Sequence, residues 1–341
     1  MSITQEMLIA ALSDGRFHSG TELGKKWGIT RAAVSMLVRR CCLPGIEIYR
    51  VRGKGYRLKE SLELLNREAI LQQLPKPRQE LVADMHVCWT IPSTSSFLLQ
   101  CVDRNPQLND DCYRVCLSEM QTAGRGSRGR RWVSPFGHNI YLSILRAFDV
   151  APPELGGLSI VAGLALLRTL KKHGVRGAGF KWPNDIHIDS RKVAGILVEV
   201  RSQVWGPTHV VIGVGVNLQV RDDSMKDVDQ PWGAIAGWGF DLSRRNVFAG
   251  DLLNELIELV EAFRHRGLRP YLDELSAYDL VKGRDVQFLH GSKKVVGKGG
   301  GIDHLGRLVI QTDDGLQLFS SGEVSLRSEG IVGMVRDDSR N

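Results

Sequence analysis

The alternation of apolar and polar residues over positions 1–64 predicts three short helices followed by a two-stranded hairpin. Apolar residues recur with helical spacing in 7–12, 21–28 and Arg31–Arg40. Ser19 precedes Glu22 with the spacing of a capping box, and a glycine at 28 is suited to end that helix. After position 44 the apolar residues alternate on both sides of a glycine-rich turn. This pattern predicts a helix-turn-helix with a wing, that is, a winged helix.

Positions 65–272 carry apolar runs that predict the strands of a buried sheet. The runs belong to the motifs QTAGRGSRGRRW (121–132), FKWPNDI (180–186), KVAGILVEV (192–200) and VVIGVGVNL (210–218). Glycines inside two of these strands would let a ligand or another backbone approach closely. The aperiodic stretch 219–230 predicts a long loop, of a kind that is more often functional than not.

Positions 273–328 predict a small barrel built from short strands. Five apolar segments separated by glycine turns are expected to form these strands, at 285–289, 294–297, 301–303, 307–311 and 316–319. Residues 329–341 are polar and predict a frayed end. The length of 341 residues agrees with a chain of two or three domains.

Composition narrows the class of protein. An apolar content of 43% and a charged content of 24% are typical of a globular chain rather than a disordered one. The longest uncharged apolar-rich run, 155–167, is too short to span a bilayer, and the N-terminus lacks the basic region of a secretory signal. We therefore expect no membrane partner. Six cysteines without a CxxC pair or zinc spacing predict reduced thiols, a cytoplasmic location and no protein metal site.

The positive charge is concentrated in the first 60 residues. They hold 11 Lys/Arg and 5 acidic residues, or +6 of the total of +7. A basic head on a nearly neutral body indicates an anionic partner, and charge on both the third helix and the wing favours DNA. The candidate DNA-binding residues are Thr30, Arg31, Ser35, Arg39, Arg52 and Lys54. The alternative is a winged helix used for protein docking.

The motif at 124–129 contains a literal G-x-G-x-x-G but lacks the context of a dinucleotide site. The residues that follow include a proline and a glycine and then a strand-like run, so no helix opens at the last glycine. A glycine-rich loop with four arginines between two strands is instead suited to close over a polyanion such as a nucleoside triphosphate. Trp132 either stacks on the base or packs in the core.

In this order, the motifs GRGSRGRRW, KWPND, KVAGILVE and GVGVN resemble the biotin–protein ligase family. The head, with its TRAAV helix and VRGKGY wing, is similar to the members that also repress the biotin operon, and the likeness reaches the C-terminal GEVSLRS. The resemblance implies an α+β fold with a winged helix at 1–64, a catalytic domain at 65–272 and an SH3-like domain at 273–328. The catalytic domain would be a mixed sheet with helices, like that of class II aminoacyl-tRNA synthetases.

The activity implied by the resemblance has two steps. Biotin and MgATP would give biotinyl-5′-adenylate, and the biotinyl group would pass to a lysine of the biotin carboxyl carrier protein of acetyl-CoA carboxylase. The adenylate would favour a homodimer that binds operator DNA. The loop at 219–232 would become ordered when adenylate binds. Biotin, ATP and Mg²⁺ are therefore the expected small ligands.

The resemblance also assigns residues. Lys181 and Arg125 are the expected catalytic residues, with the Lys181 ammonium placed between the biotin carboxylate and the α-phosphate. The expected biotin site is Ser93, Thr94, Ser95, Gln121, Arg125, Gly126, Ser127, Lys181 and Gly195. The expected ATP and adenylate site is Arg128, Arg130, Trp132, Asn184, Asn217 and Trp232.

Ser127 departs from the family pattern GRGRxGR, which has an arginine at this position. Loss of that guanidinium predicts faster escape of the adenylate and labelling of neighbouring proteins, and Ser127 could be an engineered change. The alternative is that Arg128 or Arg130 compensates. Three other functions stay open: a ligase whose head does not bind the operator, a lipoate ligase, and a DNA-binding sensor that holds biotin without activating it.

Overall fold

A computed structural model describes residues 4–105, 111–202, 206–219, 228, 230–290 and 293–326. The helices are α1 (Gln5–Leu12), α2 (Gly20–Trp27), α3 (Arg31–Arg40), α4 (Arg67–Leu71), α5 (Lys76–Glu80), α6 (Thr94–Arg104), α7 (Leu158–Lys172), α8 (Arg245–Arg266) and α9 (Leu272–Ser276). The strands are β1 (Ile48–Val51), β2 (Gly55–Leu58), β3 (Val82–Ile91), β4 (Tyr113–Gln121), β5 (Ile140–Phe148), β6 (Gly179–Lys181), β7 (Asp185–Ile188), β8 (Arg191–Arg201), β9 (Thr208–Val216), β10 (Asp285–His290), β11 (Lys293–Ile302), β12 (Leu308–Thr312), β13 (Gly315–Phe319) and β14 (Glu323–Leu326).

The head has the three helices and the hairpin that its sequence predicts. Ser19 and Glu22 form the capping box of α2, which begins at Gly20, and Gly28 ends it with φ +67°. β1 and β2 pair in antiparallel register. Apolar residues of α1, α2, α3 and β2 form a core that also contains Phe136 of the body. The head is thus packed onto the body.

The centre of the body is a mixed sheet with the strand order β3-β4-β5-β9-β8-β7-β6. β3 and β4 are parallel and the other pairs are antiparallel. Ile144 and Ile212 point into the large core that includes α7 and α8, whereas Leu145 and Val211 lie in the small core with α6. Because alternate residues of a strand face opposite sides, α6 covers one face of the sheet and the α7–α8 pair covers the other.

One helical segment, 152–172, is long and apolar enough to cross a membrane by length and composition alone. About 72% of its apolar window is buried inside the protein, and Gly163 of α7 lies directly against the ring of Phe180. The segment therefore serves as the central core helix of the body.

The C-terminal strands form an antiparallel sheet in the order β13-β12-β11-β10-β14. The predicted separation of 294–297 from 301–303 is wrong, because β11 (Lys293–Ile302) runs through the first segment and into the second, with a bulge between Gly299 and Gly301. The intervening glycines do not turn the chain. A Cβ at Gly297 would lie 2.3 Å from the Gln311 carbonyl oxygen, and one at Gly299 would lie 2.1 Å from that of Val281. Here glycine permits close strand packing, and β14 supplies the remaining strand.

A buried polar cluster fixes the linker between head and body. Arg245 at the start of α8 forms an ion pair with Glu119 at 2.6 Å, and both side chains are about 3% exposed. The same guanidinium donates to the carbonyl oxygen of Glu63 at 3.0 Å. The predicted domain boundaries near 64 and 272 remain predictions, and residues 329–341 lie outside the described part of the chain.

Candidate active site

A small cavity with polar and apolar walls opens where α6 begins, beside β4, β5, β8 and β9. Ser93 caps α6, because its hydroxyl accepts from the Ser96 amide at 3.3 Å. The hydroxyls of Thr94 and Ser95 lie 2.7 and 3.0 Å from that of Ser143 on β5. Such a buried group of hydroxyls provides donors and acceptors for a small polar ring.

Gln121 at the end of β4 closes the polar end of this cavity. Its Oε1 accepts from the backbone amide of Thr94 at 2.9 Å, and its Nε2 donates to Ser134 Oγ at 3.1 Å. Both ends of the amide are therefore held in place. Gln121 presents a fixed orientation to any ligand beside Thr94.

Glycines on β8 and β9 make room for Trp132. A Cβ at Gly215 would lie 2.6 Å from the indole, and one at Gly195 would lie 3.1 Å from it. The Trp132 Nε1 is buried against Gly215 and has no hydrogen-bond partner in the described part of the chain. Trp132 lines the cavity, which agrees better with a ligand-facing role than with a purely structural one.

The glycine-rich loop divides its side chains between two partners. Gly126 and Ser127 line the cavity, as does Arg125, whose guanidinium forms an ion pair with Glu199 on β8. Arg128 and Arg130 instead face Glu323 on β14, at 2.9 and 3.5 Å. The loop is thereby linked to the C-terminal sheet. These two arginines are not among the residues that line the cavity.

Lys192 at the start of β8, rather than Lys181, is the lysine that lines the cavity. Its Nζ lies 2.7 Å from Asp185 Oδ1 and 5.6 Å from the centre of the Trp132 ring. Burial raises the pKa of the Asp185 carboxyl, but its interactions with His187, whose Nε2 lies 3.9 Å away, and with the Lys192 ammonium outweigh burial and lower that pKa. Lys181 ends the edge strand β6, opposite Asp185 in the β6–β7 hairpin.

A second cavity shares a wall with the first. Its lining residues are Arg131, Trp132, Val133, Lys192, Asn217, Val228, Gln230 and Trp232. Asn217 Nδ2 donates to the Gly233 carbonyl oxygen at 3.1 Å, and the Lys192 amide donates to the Pro231 carbonyl oxygen at 2.9 Å. Trp132 and Lys192 belong to both cavities. Two ligands, one in each cavity, would come closest to each other beside these two side chains.

The structure thus brings most of the predicted site residues together. Those that line the first cavity are Ser93, Thr94, Ser95, Gln121, Arg125, Gly126, Ser127, Trp132, Asn184 and Gly195, and Asn217 and Trp232 line the second. Ser143, Asp185 and Lys192 also line the first cavity, although they were not predicted. Lys192 is the first residue of the motif KVAGILVEV, in which the sequence points to the glycine rather than to the lysine. Ser143 belongs to no motif. Of the loop 219–232, residues 220–227 and 229 lie outside the described residues.

No group of three or more His, Cys, Asp or Glu side chains suited to a metal ion is present among the described residues. The six cysteines are free thiols. In the head, Arg31, Arg39, Arg52 and Lys54 are exposed and Ser35 is partly exposed. Thr30 caps α3, because its hydroxyl accepts from the Ala33 amide at 3.1 Å. Its side chain is therefore engaged in holding the helix.

Comparison with known proteins gives two family matches. Residues 90–217 match the model of the biotin/lipoate A/B protein ligase family, and residues 282–327 match the biotin protein ligase C-terminal domain. The chain is 38% identical over 321 residues to the bifunctional ligase/repressor BirA of Escherichia coli strain K12. That match covers 94% of this chain and 96% of the relative.

Two further relatives are similar over a smaller share of the chain. A biotin–[acetyl-CoA-carboxylase] ligase of Mycobacterium tuberculosis is 34% identical, over 62% of this chain and 77% of its own length. The structure of the biotin protein ligase from Aquifex aeolicus in complex with biotin and ATP has a TM-score of 0.56 and 25% identity. It covers 72% of this chain and 99% of its own.

Proposed function

This chain belongs to the biotin protein ligase family, and from that premise we propose how its two cavities divide the substrates. The first cavity takes biotin and the second takes the adenosine part of ATP. The observation that carries this proposal is that Trp132 and Lys192 line both cavities. The carboxylate of biotin bound in the first cavity and the α-phosphate of ATP bound in the second would meet beside the Lys192 ammonium.

The first cavity suits the two ends of biotin. The hydroxyls of Thr94, Ser95 and Ser143 and the fixed amide of Gln121 provide donors and acceptors for its ureido ring. The Trp132 ring and the apolar residues of the lining suit the apolar part of the molecule. The carboxylate then points to Lys192, whose salt bridge to Asp185 holds the ammonium group in place.

In the first step, a biotin carboxylate oxygen forms a bond to the α-phosphorus of ATP. The bond from that phosphorus to the oxygen bridging to the β-phosphate breaks, and its electron pair leaves with pyrophosphate. Lys192 offsets negative charge at the reacting oxygens, which is electrostatic stabilisation of the transition state. Positioning and charge neutralisation suffice, so the step requires no protein nucleophile. In this scheme Lys192 takes the role that the sequence assigned to Lys181.

Mg²⁺ enters this proposal as part of the substrate MgATP. It commonly binds proteins through one or two carboxylates and the substrate phosphates. Asp185 is a carboxylate at the cavity wall and suits that pattern. The ion would offset phosphate charge, whereas Asp185 and Lys192 orient the groups around it.

In the second step, a lysine amine of the acceptor forms a bond to the acyl carbon. The bond from that carbon to the phosphate oxygen breaks, AMP leaves with the electron pair, and a proton is lost to solvent. We propose the biotin carboxyl carrier protein of acetyl-CoA carboxylase as acceptor. The name of the Mycobacterium tuberculosis relative supports it.

Ser127 makes retention of the adenylate a separate part of the proposal. It lies at the cavity, where the family pattern has an arginine. Arg128 pairs with Glu323, and Arg130, 3.5 Å from Glu323, also donates to Ser127 Oγ at 3.4 Å. A hydroxyl carries no charge to hold the adenylate phosphate. We propose that this chain releases biotinyl-adenylate more readily and labels neighbouring lysines.

The head supplies a second proposed function, DNA-bound repression. Its three helices and hairpin suit a winged helix, its exposed cations lie on α3 and at the hairpin turn, and the BirA relative is a ligase and repressor by name. We propose that the adenylate favours a homodimer that binds operator DNA. The SH3-like class of the C-terminal sheet and a cytoplasmic location, which free thiols support, belong to the same proposal.

The test of the ligase proposal measures both steps. Biotin-dependent exchange of labelled pyrophosphate into ATP reports the first step, and transfer of labelled biotin to a carrier protein reports the second. We expect both activities with biotin and neither with lipoate. Exchange supported equally by lipoate, or no exchange with biotin, would contradict the proposal. A separate test of the repressor function compares the binding of operator DNA by the full chain with that by a chain lacking residues 1–64.

A further inference from the structure

The wall of the second cavity that carries Trp232 lies against the start of β8. The Lys192 amide donates to the Pro231 carbonyl oxygen at 2.9 Å, and the Gly233 amide donates to the Lys192 carbonyl oxygen at 2.9 Å. Trp232 is thereby paired with Lys192 as in a parallel strand. The segment 231–233 therefore has a defined backbone position, from which the Trp232 side chain reaches the cavity.

Gly233 is buried between two side chains. A Cβ at this position would lie 2.6 Å from the Trp238 ring and 3.3 Å from Arg191 Cβ. Trp238 ends the 3-10 turn Ile235–Trp238, and its indole folds back over the residue five positions earlier. Because glycine has no side chain, the backbone at 233 can lie directly against the indole.

The Trp238 indole is itself attached to the turn between β7 and β8. Its Nε1 donates to Asp189 Oδ2 at 2.8 Å. Asp189 and Ser190 form the two-residue turn between these strands, with φ of +47° and +63°. Positive φ at both central residues is typical of a tight hairpin turn. Because this turn joins two strands of the central sheet, its carboxylate is a well-fixed acceptor for the indole.

Gly233 also contacts Asn217, which lines the second cavity. The Asn217 side chain donates to the Gly233 carbonyl oxygen at 3.1 Å, and the Ile235 amide donates to the Asn217 carbonyl oxygen at 2.9 Å. Two residues of the cavity wall, Trp232 and Asn217, therefore depend on the position of one glycine. Trp238 is not among the described residues that line either substrate cavity. Its influence on a ligand would pass through Gly233.

We propose that Trp238 is a positioning residue for ATP: it joins Gly233 to the β7–β8 turn and thereby holds Trp232 and Asn217 in their binding positions before ATP enters. The inference rests on the proposed function, because it takes the adenosine part of ATP as the ligand of the second cavity. A wall that is already in place loses less conformational freedom on binding. A wall that is in place in only a fraction of the molecules lowers the apparent affinity by that fraction.

This role separates ATP binding from catalysis. Without the hydrogen bond to Asp189, the indole and Gly233 can shift, so a smaller fraction of the molecules would be ready to bind ATP. Saturating ATP would restore the binding arrangement. The salt bridge of Lys192 with Asp185 does not involve Trp238. We therefore expect a higher KM for ATP, with kcat and the KM for biotin close to those of the unsubstituted chain.

The experiment measures biotin-dependent exchange of labelled pyrophosphate into ATP by the full chain over a series of ATP concentrations. Trp238→Phe keeps a ring over Gly233 and removes the donor, whereas Asp189→Gly removes the acceptor and tolerates the positive φ. From the net contribution of one hydrogen bond, the KM for ATP should rise about threefold to tenfold in each variant. It should rise no further in the double variant, because both changes break the same contact.

Asp189→Asn is the matched control. Its amide oxygen still accepts from the indole, and asparagine also tolerates a positive φ, so its KM for ATP should stay close to that of the unsubstituted chain. Amide hydrogen exchange at Gly233 in the ligand-free protein gives a second measurement that does not depend on ATP. Exchange should be about threefold to tenfold faster in Trp238→Phe and Asp189→Gly, and unchanged in Asp189→Asn.

An unchanged KM for ATP in Asp189→Gly, a loss confined to kcat, or an equal rise in the KM for biotin would overturn the inference. Unchanged hydrogen exchange at Gly233 would overturn it as well. Asp189→Gly carries the test if Trp238→Phe does not fold. Absence of biotin-dependent exchange in the unsubstituted chain would overturn the proposed function, whereas normal exchange with unaltered KM values in the variants would overturn this inference alone.

Discussion

At the residue scale, the salt bridge between Lys192 and Asp185 fixes an ammonium group at the wall between two cavities. The pair is mostly buried, with side chains 10% and 17% exposed. Because water is largely excluded from this pair, the field of Lys192 would act with little screening on the reacting oxygens of the proposed first step. Asp185 also limits the motion of the lysine. This arrangement suits a site that stabilises charge without a covalent enzyme intermediate.

Ser127→Arg tests whether the missing guanidinium controls adenylate retention. A charge-assisted contact contributes about 1.5–3 kcal/mol, so we expect adenylate escape to slow roughly tenfold to a hundredfold. The measurement is labelling of a bystander protein in the presence of biotin and ATP, together with the rate of adenylate release. Ser127→Ala removes the hydroxyl without adding charge and serves as control. Bystander labelling that is the same in Ser127→Arg and the unsubstituted chain would defeat the leakage proposal.

The two lysines illustrate the limit of sequence analysis at this scale. Lys181 and Lys192 each adjoin a motif at a strand end, and the sequence alone does not reveal which one faces a ligand. Orientation depends on the β6–β7–β8 register, where a shift between Ile186 and His187 changes the pairing. The serines at the start of α6 were predictable from their motif. Ser143 lies within an ordinary apolar strand and was not.

At the element scale, glycine spacing on β8 and β9 shapes the site. Gly195 and Gly215 pair directly across these strands, and both lie against Trp132. Side chains at these positions would occupy the space of the indole. The strands were predictable from their apolar runs, and so was the expectation that something approaches the glycines closely. The identity of that neighbour required the packed structure.

Gly215→Ala should displace Trp132, because the new Cβ would lie 2.6 Å from the indole. Overpacking of this kind costs about 1–3 kcal/mol, so we expect biotin and ATP affinities to fall about fivefold to a hundredfold. Isothermal titration with each substrate checks the result. Gly237→Ala is the matched control, since a Cβ there meets nothing within 4 Å. Equal affinities in the two variants would contradict the role of the glycine wall.

The C-terminal sheet shows why glycine positions alone are a poor guide to where a strand ends. Glycine commonly marks turns, yet the glycines of β11 continue the strand because neighbouring backbone approaches too closely for any side chain. The backbone that packs against these glycines comes from residues outside β11, so the sequence of β11 alone does not reveal the contact. β14 lies within the family motif GEVSLRS, and its Glu323 faces the glycine-rich loop of the body.

At the scale of the whole molecule, the charge distribution and the packing describe two linked units. The head carries +6 of the net charge, and its core includes Phe136 of the body. The order of helices and strands was largely predictable because each element has its own periodicity or cap. The attachment of the head was not, because it depends on Arg245, His138 and Gln219, which lie far from the head in sequence.

Arg39→Ala tests the head as a DNA-binding unit. Each phosphate contact contributes about 0.9 to the slope of log affinity against log salt, so the slope should fall by about one. Filter binding to biotin-operator DNA over a salt series measures this change. Arg176→Ala removes an exposed cation from the body and is the control. If both variants reduce the slope equally, the DNA contact does not depend on the α3 charge.

The most direct test of the central claim compares Lys192→Ala with Lys181→Ala in biotin-dependent exchange of pyrophosphate into ATP. Loss of a group that stabilises transition-state charge costs about a hundredfold to a thousandfold in rate. We predict a loss of that size in Lys192→Ala, with Lys181→Ala remaining close to the unsubstituted chain. Near-normal exchange in Lys192→Ala, with the loss in Lys181→Ala instead, would contradict the placement of the chemistry between the two cavities.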